Sequence, residues 1–481
     1  MVCPTLWGQH QNEIVASLDG PTNQIRIRQH FTYVNQSQQG LSTLYFNDWN
    51  HAYSNKNTAL AKRFAEEFNR SLHLAKDRER GKTTIRTIVD DNYTGLDWKR
   101  EGNMDIISVT LNEILKPGES IQLFFTYTIR LPEAKFTGYG HTDSRGYNLM
   151  DWYLTPAVFD GDWKLYNNMN LDDQYTDITE TRINFTFPNH LFLASNYRKS
   201  SVSNFPEGQH VQLIGNKRKN CEIILTIDDR FTKHVTDHLT ITTDIESNNY
   251  EEIAQGISIS KISGFLYENL GEYPHDNLLV SEFDYNRSPL YGISQLPSFI
   301  RPYEEQFQFE MKFLKTAIRS YLKESLYLDP RKERWVNDAI GYYLMIKFVE
   351  QYYPNQKLIG KLSRIWGLKN FHLAKMDFNE QYALFSMLSA RKNIDQALTT
   401  SNDSLIKFNQ KIANAYKAGL GMSYLSAYLG KSEIDSTVLD FFKNYKQKQR
   451  TTASDFKKTI EKYADKDVNW FFDEYVSTDN K

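Results

Sequence analysis

Histidine supplies the imidazole that most catalytic zinc sites and many nucleophilic sites require. The chain has 11 histidines, and two of them lie at i and i+4 in His234-Val-Thr-Asp-His238. On a helix this spacing would direct both rings at one metal ion. The residues around them are β-branched and alternate, and in a strand the two positions are about 13 Å apart, too far for a single ion. We therefore expect no metal site at this pair.

Other common catalytic patterns are absent from the sequence. It contains no His-Glu-x-x-His, no Gly-x-Ser-x-Gly and no Gly-x-x-x-x-Gly-Lys phosphate loop. The two cysteines, Cys3 and Cys221, have no metal-type spacing and are too few for a disulfide framework. Nothing near Cys221 suggests a reactive thiolate, so we expect it to be a small residue of a strand.

Composition excludes several classes of protein. A chain of 481 residues predicts two or three domains, and 57 basic against 59 acidic residues leave no basic field for nucleic acid. No apolar run approaches the roughly 18–20 residues that span a bilayer. Residues 1–9 are apolar without a charged leader. They are either the end of a signal peptide, which implies export to the periplasm or cell surface, or a disordered N-terminus of a cytoplasmic protein.

Hydrophobic periodicity divides the chain near residue 235. Before this point apolar residues alternate, with strands predicted at 24–33, 105–111, 120–130, 181–187 and 222–227, and one helix at 58–69. After a last alternating stretch at 238–245 the period becomes helical. Helices are predicted at 252–270, 304–326, 336–352, 379–392, 404–429, 436–446 and 455–463, the last with Ser454 as its N-cap. The pattern indicates an α+β protein.

Four ordered segments of the helical half resemble the membrane alanyl aminopeptidase family of zinc metallopeptidases. They are Phe265-Leu-Tyr-Glu-Asn-Leu-Gly-Glu-Tyr-Pro, Gly292-Ile-Ser-Gln-Leu, Arg334-Trp-Val-Asn-Asp-Ala and Tyr416-Lys-Ala-Gly-Leu, followed by Asp467-Val-Asn-Trp-Phe-Phe-Asp at the end. The resemblance implies an N-terminal antiparallel β saddle domain at 1–235 and a mainly helical, thermolysin-like domain at 236–481.

The same resemblance assigns positions to the family's site residues. By the family's spacing, Lys315 and Arg319 stand where two zinc-binding imidazoles are expected, and Thr316 stands where the general base is expected. Asp338 takes the place of the third zinc ligand, a glutamate. Tyr416 matches the tyrosine that stabilises the tetrahedral intermediate. In the substrate groove, Gly292 is kept, and Gln295 replaces the glutamate that binds the substrate's amine.

These substitutions change the chemistry that the site can perform. Zinc requires neutral imidazole, thiolate or carboxylate donors, whereas ammonium and guanidinium groups offer no lone pair and repel the ion. We therefore predict no zinc cofactor. Asp338 is expected either to form an ion pair with Lys315 or Arg319, or to share a solvated groove with them and pair with neither.

The function expected from these observations is that of a catalytically inactive relative, which binds a peptide or protein in the groove between its domains. The alternative is an active metallopeptidase or other hydrolase with an atypical metal site, built from Asp338, Tyr416 and a histidine of the first domain. A third reading is a structural module that acts through a protein partner. The oligomeric state is not predicted.

Overall fold

The structure is a computed structural model that describes residues 9–100, 102, 105–293, 302–367, 370–448 and 450–478. Residues 1–8 with the proposed leader and Cys3, and the groove residue Gln295, lie outside the described residues. The chain divides into two compact units, one ending at Arg230 and the other beginning at Phe231. Each unit is described separately.

The first unit is built of β-sheets, as the alternating pattern predicts. In β1 (His10–Asp19) every second side chain is buried, and this alternation is the pattern of a strand with one face against a core. Within the described residues, β1 lies inside a seven-stranded sheet of order β15-β16-β13-β1-β2-β7-β4. Its pairing with β13 is parallel, and the other pairings in this sheet are antiparallel.

The remaining strands of this unit form two four-stranded sheets, of order β10-β3-β6-β5 and β14-β17-β9-β8, and the hairpin β11-β12, among the residues described. The strands after β1 are β2 (Gln24–Val34), β3 (Leu41–Asn47), β4 (Lys82–Val89), β5 (Trp98–Arg100), β6 (Ile106–Leu115), β7 (Ser120–Arg130), β8 (Gly140–His141), β9 (Tyr147–Leu149), β10 (Thr155–Pro156), β11 (Val158–Asp160), β12 (Asp162–Lys164), β13 (Thr179–Phe187), β14 (Phe192–Ser195), β15 (Arg198–Phe205), β16 (Gly208–Arg218) and β17 (Ile223–Thr226). The helices are α1 (Ala59–Glu66) and α2 (Ser71–Leu74).

The second unit starts with a small sheet and continues as helices. The strands β18 (Thr232–Val235), β19 (Thr240–Thr243) and β20 (Leu278–Val280) pair in that order, with β19 and β20 parallel. The helices are α3 (Glu252–Leu270), α4 (Glu282–Arg287), α5 (Glu305–Ser325), α6 (Arg334–Tyr352), α7 (His372–Lys375), α8 (Glu380–Arg391), α9 (Asn414–Leu429), α10 (Lys431–Tyr445) and α11 (Ala453–Tyr463).

One continuous core holds these helices together. It includes the apolar faces of α3, α5, α6 and α9, and its largest side chains are aromatic. Fully buried examples are Phe265 on α3 and Tyr321 on α5. Among the described helices, none is long and apolar enough to cross a lipid bilayer.

Most predicted elements of this unit are confirmed, with differences at their ends. The helix predicted at 404–429 is a turn at 404, continues as a π-helical segment over Asn409–Ala413, and becomes α9 only at Asn414. The N-cap predicted for α11, Ser454, is wrong. Thr452 caps the helix, because its hydroxyl accepts the amide of Asp455 while the Asp455 carboxylate accepts the amide of Thr452.

Two glycines with positive φ lie in the segments of the chain before and after β20. The helix α3 ends at Leu270, and Gly271 follows with a φ of 77°, which favours glycine, before the chain enters β20. Gly292, the first residue of the segment that resembles the family's substrate groove, lies in a turn with a φ of 84°. The two histidines of the first motif are apart, with His234 in β18 and His238 in the bend that follows.

Candidate functional site

The positions assigned to the zinc site lie on two neighbouring helices of the second unit. Lys315, Thr316 and Arg319 belong to α5, and Asp338 belongs to the second turn of α6. Because residues four apart share one face of a helix, the side chains of Lys315 and Arg319 lie on the same face of α5. The helical periodicity therefore gives the i, i+4 geometry that the family's motif requires, but with two cations in it.

Lys315 is buried, with 9% of its surface exposed. Its Nζ donates hydrogen bonds to the carbonyl oxygens of Ser288 at 2.5 Å and Pro289 at 3.0 Å, and contacts the Ser288 hydroxyl at 3.3 Å. Ser288 is the residue that ends α4. The ammonium therefore satisfies carbonyl groups at the end of a helix, where a positive charge is favourable.

Burial lowers the pKa of Lys315 from 10.5 to about 7, because the charged form loses its hydration. The guanidinium of Arg319 adds to this lowering of the pKa, as do Arg334 and Lys411, whereas the Asp338 carboxylate opposes it. Positive charge therefore exceeds negative charge around this ammonium. Near neutral pH, a large fraction of the Lys315 side chains is neutral.

The other two residues on α5 are engaged with backbone groups. The hydroxyl of Thr316 donates to the carbonyl of Lys312 on the preceding turn, at 2.9 Å. A hydroxyl bound in this way does not act as a base for water. Arg319 is half-buried, and its Nη1 donates to the carbonyl of Asp284 at 3.4 Å.

Asp338 does not form the predicted ion pair with Lys315 or Arg319. Its Oδ2 pairs with Nε of Arg334, one turn earlier on α6, at 3.2 Å. Both side chains are about a quarter exposed, so solvent screens this pair. Of the two alternatives predicted for Asp338, the ion pair with Lys315 or Arg319 is therefore wrong, because Arg334 at i−4 on the same helix takes the carboxylate.

Tyr416 lies in the first turn of α9 and is 1% exposed. Its ring packs edge-on against Tyr342 and Tyr382, with centroids 5.0 and 4.8 Å away, and Phe385 lies at 6.0 Å. Burial raises the pKa of the phenol well above its ordinary value. The tyrosine is therefore part of an aromatic cluster and remains protonated at neutral pH.

Of the two substrate-groove positions, Gly292 is among the described residues and Gln295 is not. A Cβ at Gly292 would meet open space, so its glycine is required by the positive φ and not by a close neighbour. Cys221 is buried beside β17, two residues before the strand begins, and its Sγ lies 3.5 Å from the Ser195 hydroxyl. These contacts are typical of a packed thiol.

Comparisons with known proteins place this geometry in a known fold. No family model and no curated protein match the sequence. An M1 zinc metallopeptidase from Deinococcus radiodurans matches with a TM-score of 0.60 at 11% identity, over 98% of this chain and 92% of that chain. The chain has the two-domain fold of the M1 zinc metallopeptidases.

Two further solved structures with the M1 fold contain ligands. A mutant of the M1 zinc metallopeptidase from the same organism, bound to the substrate Tyr-Ser-Ala, gives a TM-score of 0.60 at 10% identity over 97% of this chain and 93% of its own. A two-domain M1 zinc metallopeptidase mutant bound to L-tryptophan gives a TM-score of 0.58 at 11% identity. The match covers 99% of this chain and 96% of that chain. At these identities the likeness concerns the fold.

The M1 fold implies a zinc ion, and the four side chains assigned to its site do not suit one. The Lys315 ammonium binds carbonyl oxygens, Arg319 is a guanidinium, and the Thr316 hydroxyl is bound to its own helix. Asp338 supplies a single carboxylate, which already pairs with Arg334. Zinc in a catalytic site takes three protein ligands of imidazole, thiolate or carboxylate type. In the part of the chain that the structure describes, no cluster of three His, Cys, Asp or Glu side chains can hold a metal.

Sequence reasoning missed a small cavity beside Asp338. It lies between the start of α6, residues 398–405 and the start of α9, and its walls include Arg331, Arg334 and Gln410. The sequence carries a signal for one part of it, because Arg334 and Asp338 have the i, i+4 spacing of an ion pair. The other walls come from segments about 70 residues later, which no local pattern connects to α6.

Proposed function

We propose that this protein is a catalytically inactive relative of the M1 zinc metallopeptidases that binds a peptide or protein segment. The proposal has two parts. The first is the absence of zinc-dependent hydrolysis, and the second is retained binding of an extended ligand.

The observation that carries the first part is the position of the Lys315 ammonium. It is buried between α5 and the end of α4, with its protons directed at two carbonyl oxygens. Even where Lys315 is neutral, it supplies one amine in place of an imidazole, while the adjacent guanidinium of Arg319 has no lone pair and its charge repels zinc. Without zinc, a water molecule keeps a high pKa and is a poor nucleophile at neutral pH.

The second part is supported by the fold and by the ligands of its neighbours. Solved M1 structures with the same fold bind the peptide Tyr-Ser-Ala and the amino acid L-tryptophan. Binding an extended peptide requires shape and backbone hydrogen bonds but no catalytic ion. Loss of the metal therefore does not by itself remove a peptide site, and a non-catalytic binder is a consistent outcome.

The test combines an activity assay with a binding assay on the same preparation. Hydrolysis of chromogenic aminoacyl substrates is measured with added zinc, and Tyr-Ser-Ala binding is measured by calorimetry with and without a chelator. The expected result is no hydrolysis above background, with binding of the peptide that the chelator leaves unchanged. Zinc-dependent hydrolysis that the chelator abolishes would overturn the first part, and absence of binding would overturn the second.

Export to the periplasm or cell surface also remains a proposal, based on the apolar residues 1–9. Fractionation of the source cells, followed by N-terminal sequencing of the mature protein, tests it.

A further inference from the structure

One loop of the second unit carries a group of exposed apolar side chains, here called the apolar patch. Its members are Ile365, Trp366, Phe371 and Leu373, which are 49%, 84%, 65% and 47% exposed. None of the four is part of the hydrophobic core of this unit. Packing of the fold therefore does not explain these residues. Grouped exposed apolar residues of this size are typical of a surface that binds a protein or a membrane.

The loop that carries the apolar patch is closed at its base by backbone hydrogen bonds. The amide of Leu358 donates to the carbonyl of Met376 at 2.9 Å. The amide of Phe378 donates to the carbonyl of Gln356 at 2.8 Å. These bonds join the two ends of the loop as a short antiparallel bridge. The patch is therefore held on an anchored loop and not on a free chain.

Two short helical turns carry the chain away from this base and back to it. The first is the 3-10 helix Gly360–Arg364, which ends at Ile365, and the second is α7, which begins after Phe371. The two turns lie next to each other. Because the chain leaves the base along the first turn and returns along the second, Ile365, Trp366 and Phe371 lie at the end of the loop opposite the base.

The charge of this loop has one sign. Residues 355–376 contain no Asp or Glu, and their basic residues are Lys357, Lys361, Arg364, Lys369 and Lys375. Lys357 pairs with Asp377 at 2.6 Å, and Lys361 pairs with Glu304 at 3.0 Å. Lys369 lies outside the described residues. Arg364 and Lys375 are exposed, and in the part of the chain that the structure describes neither forms an ion pair. The apolar patch is therefore accompanied by uncompensated positive charge.

We propose that this loop binds the surface of a membrane that contains anionic lipids. Trp366, with its neighbours in the apolar patch, enters the headgroup region, where an indole ring is favoured. Arg364 and Lys375 attract the lipid phosphates, and basic residues combined with Trp, Phe and Leu are the composition of segments that bind at a membrane surface. The proposal does not depend on the peptide binding proposed above.

The position of the apolar patch favours a lipid surface over a peptide ligand. Peptides bind in grooves or along the open edges of sheets, where their backbone or side chains are enclosed. The patch instead lies at the end of a loop, and Trp366 is its most exposed member. A loop end can enter the headgroup layer of a bilayer without any change in the core of the protein, because none of the patch residues belongs to that core.

Sedimentation of the full chain with lipid vesicles tests this proposal. One set of vesicles is phosphatidylcholine alone, and the other contains about 30% phosphatidylglycerol. The variants are Trp366→Ala and Arg364→Ala, which change exposed side chains. The matched controls are Ile253→Ala, an apolar residue of α3 that is 72% exposed, and Lys392→Ala, an exposed lysine just after α8. Circular dichroism checks that each variant is folded.

The expected result is binding to the anionic vesicles, with much weaker binding to phosphatidylcholine alone. Trp366→Ala should weaken it about tenfold and Arg364→Ala about fivefold, with no change in the two controls. Salt at about 0.5 M should weaken it as well, because the attraction is between exposed charges. With brominated lipids, quenching of tryptophan fluorescence should be lost in Trp366→Phe, which keeps an aromatic ring and still binds.

Two results would overturn the proposal. The first is no binding of the wild type to anionic vesicles, and binding to polyglutamate in that case would identify an acidic protein as the partner of the loop. The second is binding to vesicles that neither Trp366→Ala nor Arg364→Ala weakens, which would place the contact on another surface of the protein.

Discussion

Two buried charged residues on the helix α5, five residues apart, have very different partners. Glu310 is fully buried, and its carboxylate accepts hydrogen bonds from Ser258, Gln306 and Tyr353 and forms an ion pair with Lys261. Lys315 is also buried, but its ammonium binds neutral carbonyl oxygens, and the charge of Arg319 on the same helix lowers its pKa further. The first charge is neutralised by the fold, and the second is not.

This difference separates a structural charge from one that needs another explanation. The Glu310 cluster joins α3, α5 and the end of α6, and every acceptor oxygen has a donor. A buried network in which every polar atom has a hydrogen-bond partner favours one packing arrangement of the core over the alternatives. At Lys315 the desolvation of the ammonium is offset only in part, so this buried charge is expected to lower stability.

The largest effect is expected from breaking the neutralised cluster. Glu310→Ala removes the carboxylate and leaves the Lys261 ammonium and the Tyr353 hydroxyl without their acceptor. Removing one partner of a buried pair typically costs about 3–5 kcal/mol of unfolding free energy. Urea unfolding at pH 7, followed by circular dichroism, measures this loss.

The matched control is Glu304→Ala at the start of the same helix. Glu304 pairs with Lys361 at 3.0 Å, and both side chains are more than half exposed. Exposed pairs of this kind contribute at most about 1 kcal/mol. Equal losses in the two variants would contradict the contrast between buried and exposed charge.

A smaller effect is expected from pH, because the pKa of Lys315 lies at about 7 in the folded protein and near 10.5 in the unfolded chain. Between these values the unfolded state binds more protons, so stability rises with pH, and below pH 7 the penalty is complete and constant. The slope for one such group approaches about 1.4 kcal/mol per pH unit. Over two units above pH 7, we expect a gain of roughly 2–3 kcal/mol relative to Lys315→Met.

Urea unfolding of the wild type and of Lys315→Met at pH 6, 7, 8 and 9 measures this difference. The methionine does not titrate and has a similar length, so it isolates the ammonium. A difference between the two proteins that is independent of pH from 7 to 9 would show that Lys315 keeps an ordinary pKa.

The smallest effects are expected from removing single hydrogen bonds to the Glu310 carboxylate and to the Lys315 ammonium. Tyr353→Phe removes a 2.7 Å bond to the Glu310 carboxylate, and Ser288→Ala removes a 3.3 Å contact to the Lys315 ammonium. Bonds to buried charged groups contribute about 1.5–3 kcal/mol, whereas a long, redundant contact should contribute less than about 0.5 kcal/mol. Thermal unfolding of both variants ranks them, and a larger loss in Ser288→Ala would reverse the ranking.

The elements that carry these clusters follow from the sequence to within two residues. The apolar spacing predicted helices at 304–326 and 336–352, and the structure has α5 over Glu305–Ser325 and α6 over Arg334–Tyr352. The shared face of Lys315 and Arg319 follows directly from helical geometry. The α+β fold class was confirmed as well, because the change of period from two to 3.6 is strong in this chain.

The partners of the site residues did not follow from the sequence. Lys315 bonds to carbonyl oxygens 26 and 27 residues earlier, and a backbone acceptor leaves no mark on residue type. Arg334 and Asp338 have the i, i+4 spacing of a helical ion pair. The pair was not predicted, because the resemblance to a zinc site had assigned Asp338 to the metal position. The cavity depends on the packing of α6 against the later segment at 398–414, and this packing is a tertiary property.

The most direct measurement of the central claim is the zinc content of the purified protein by elemental mass spectrometry, after incubation with zinc and removal of the excess. The same measurement on a variant with Lys315→His, Arg319→His and Asp338→Glu tests the assigned positions. We expect a stoichiometry near zero for the wild type and a clear gain for the variant, because two imidazoles and a carboxylate are ligands that catalytic zinc takes. Tight binding of about one zinc per chain by the wild type would contradict it.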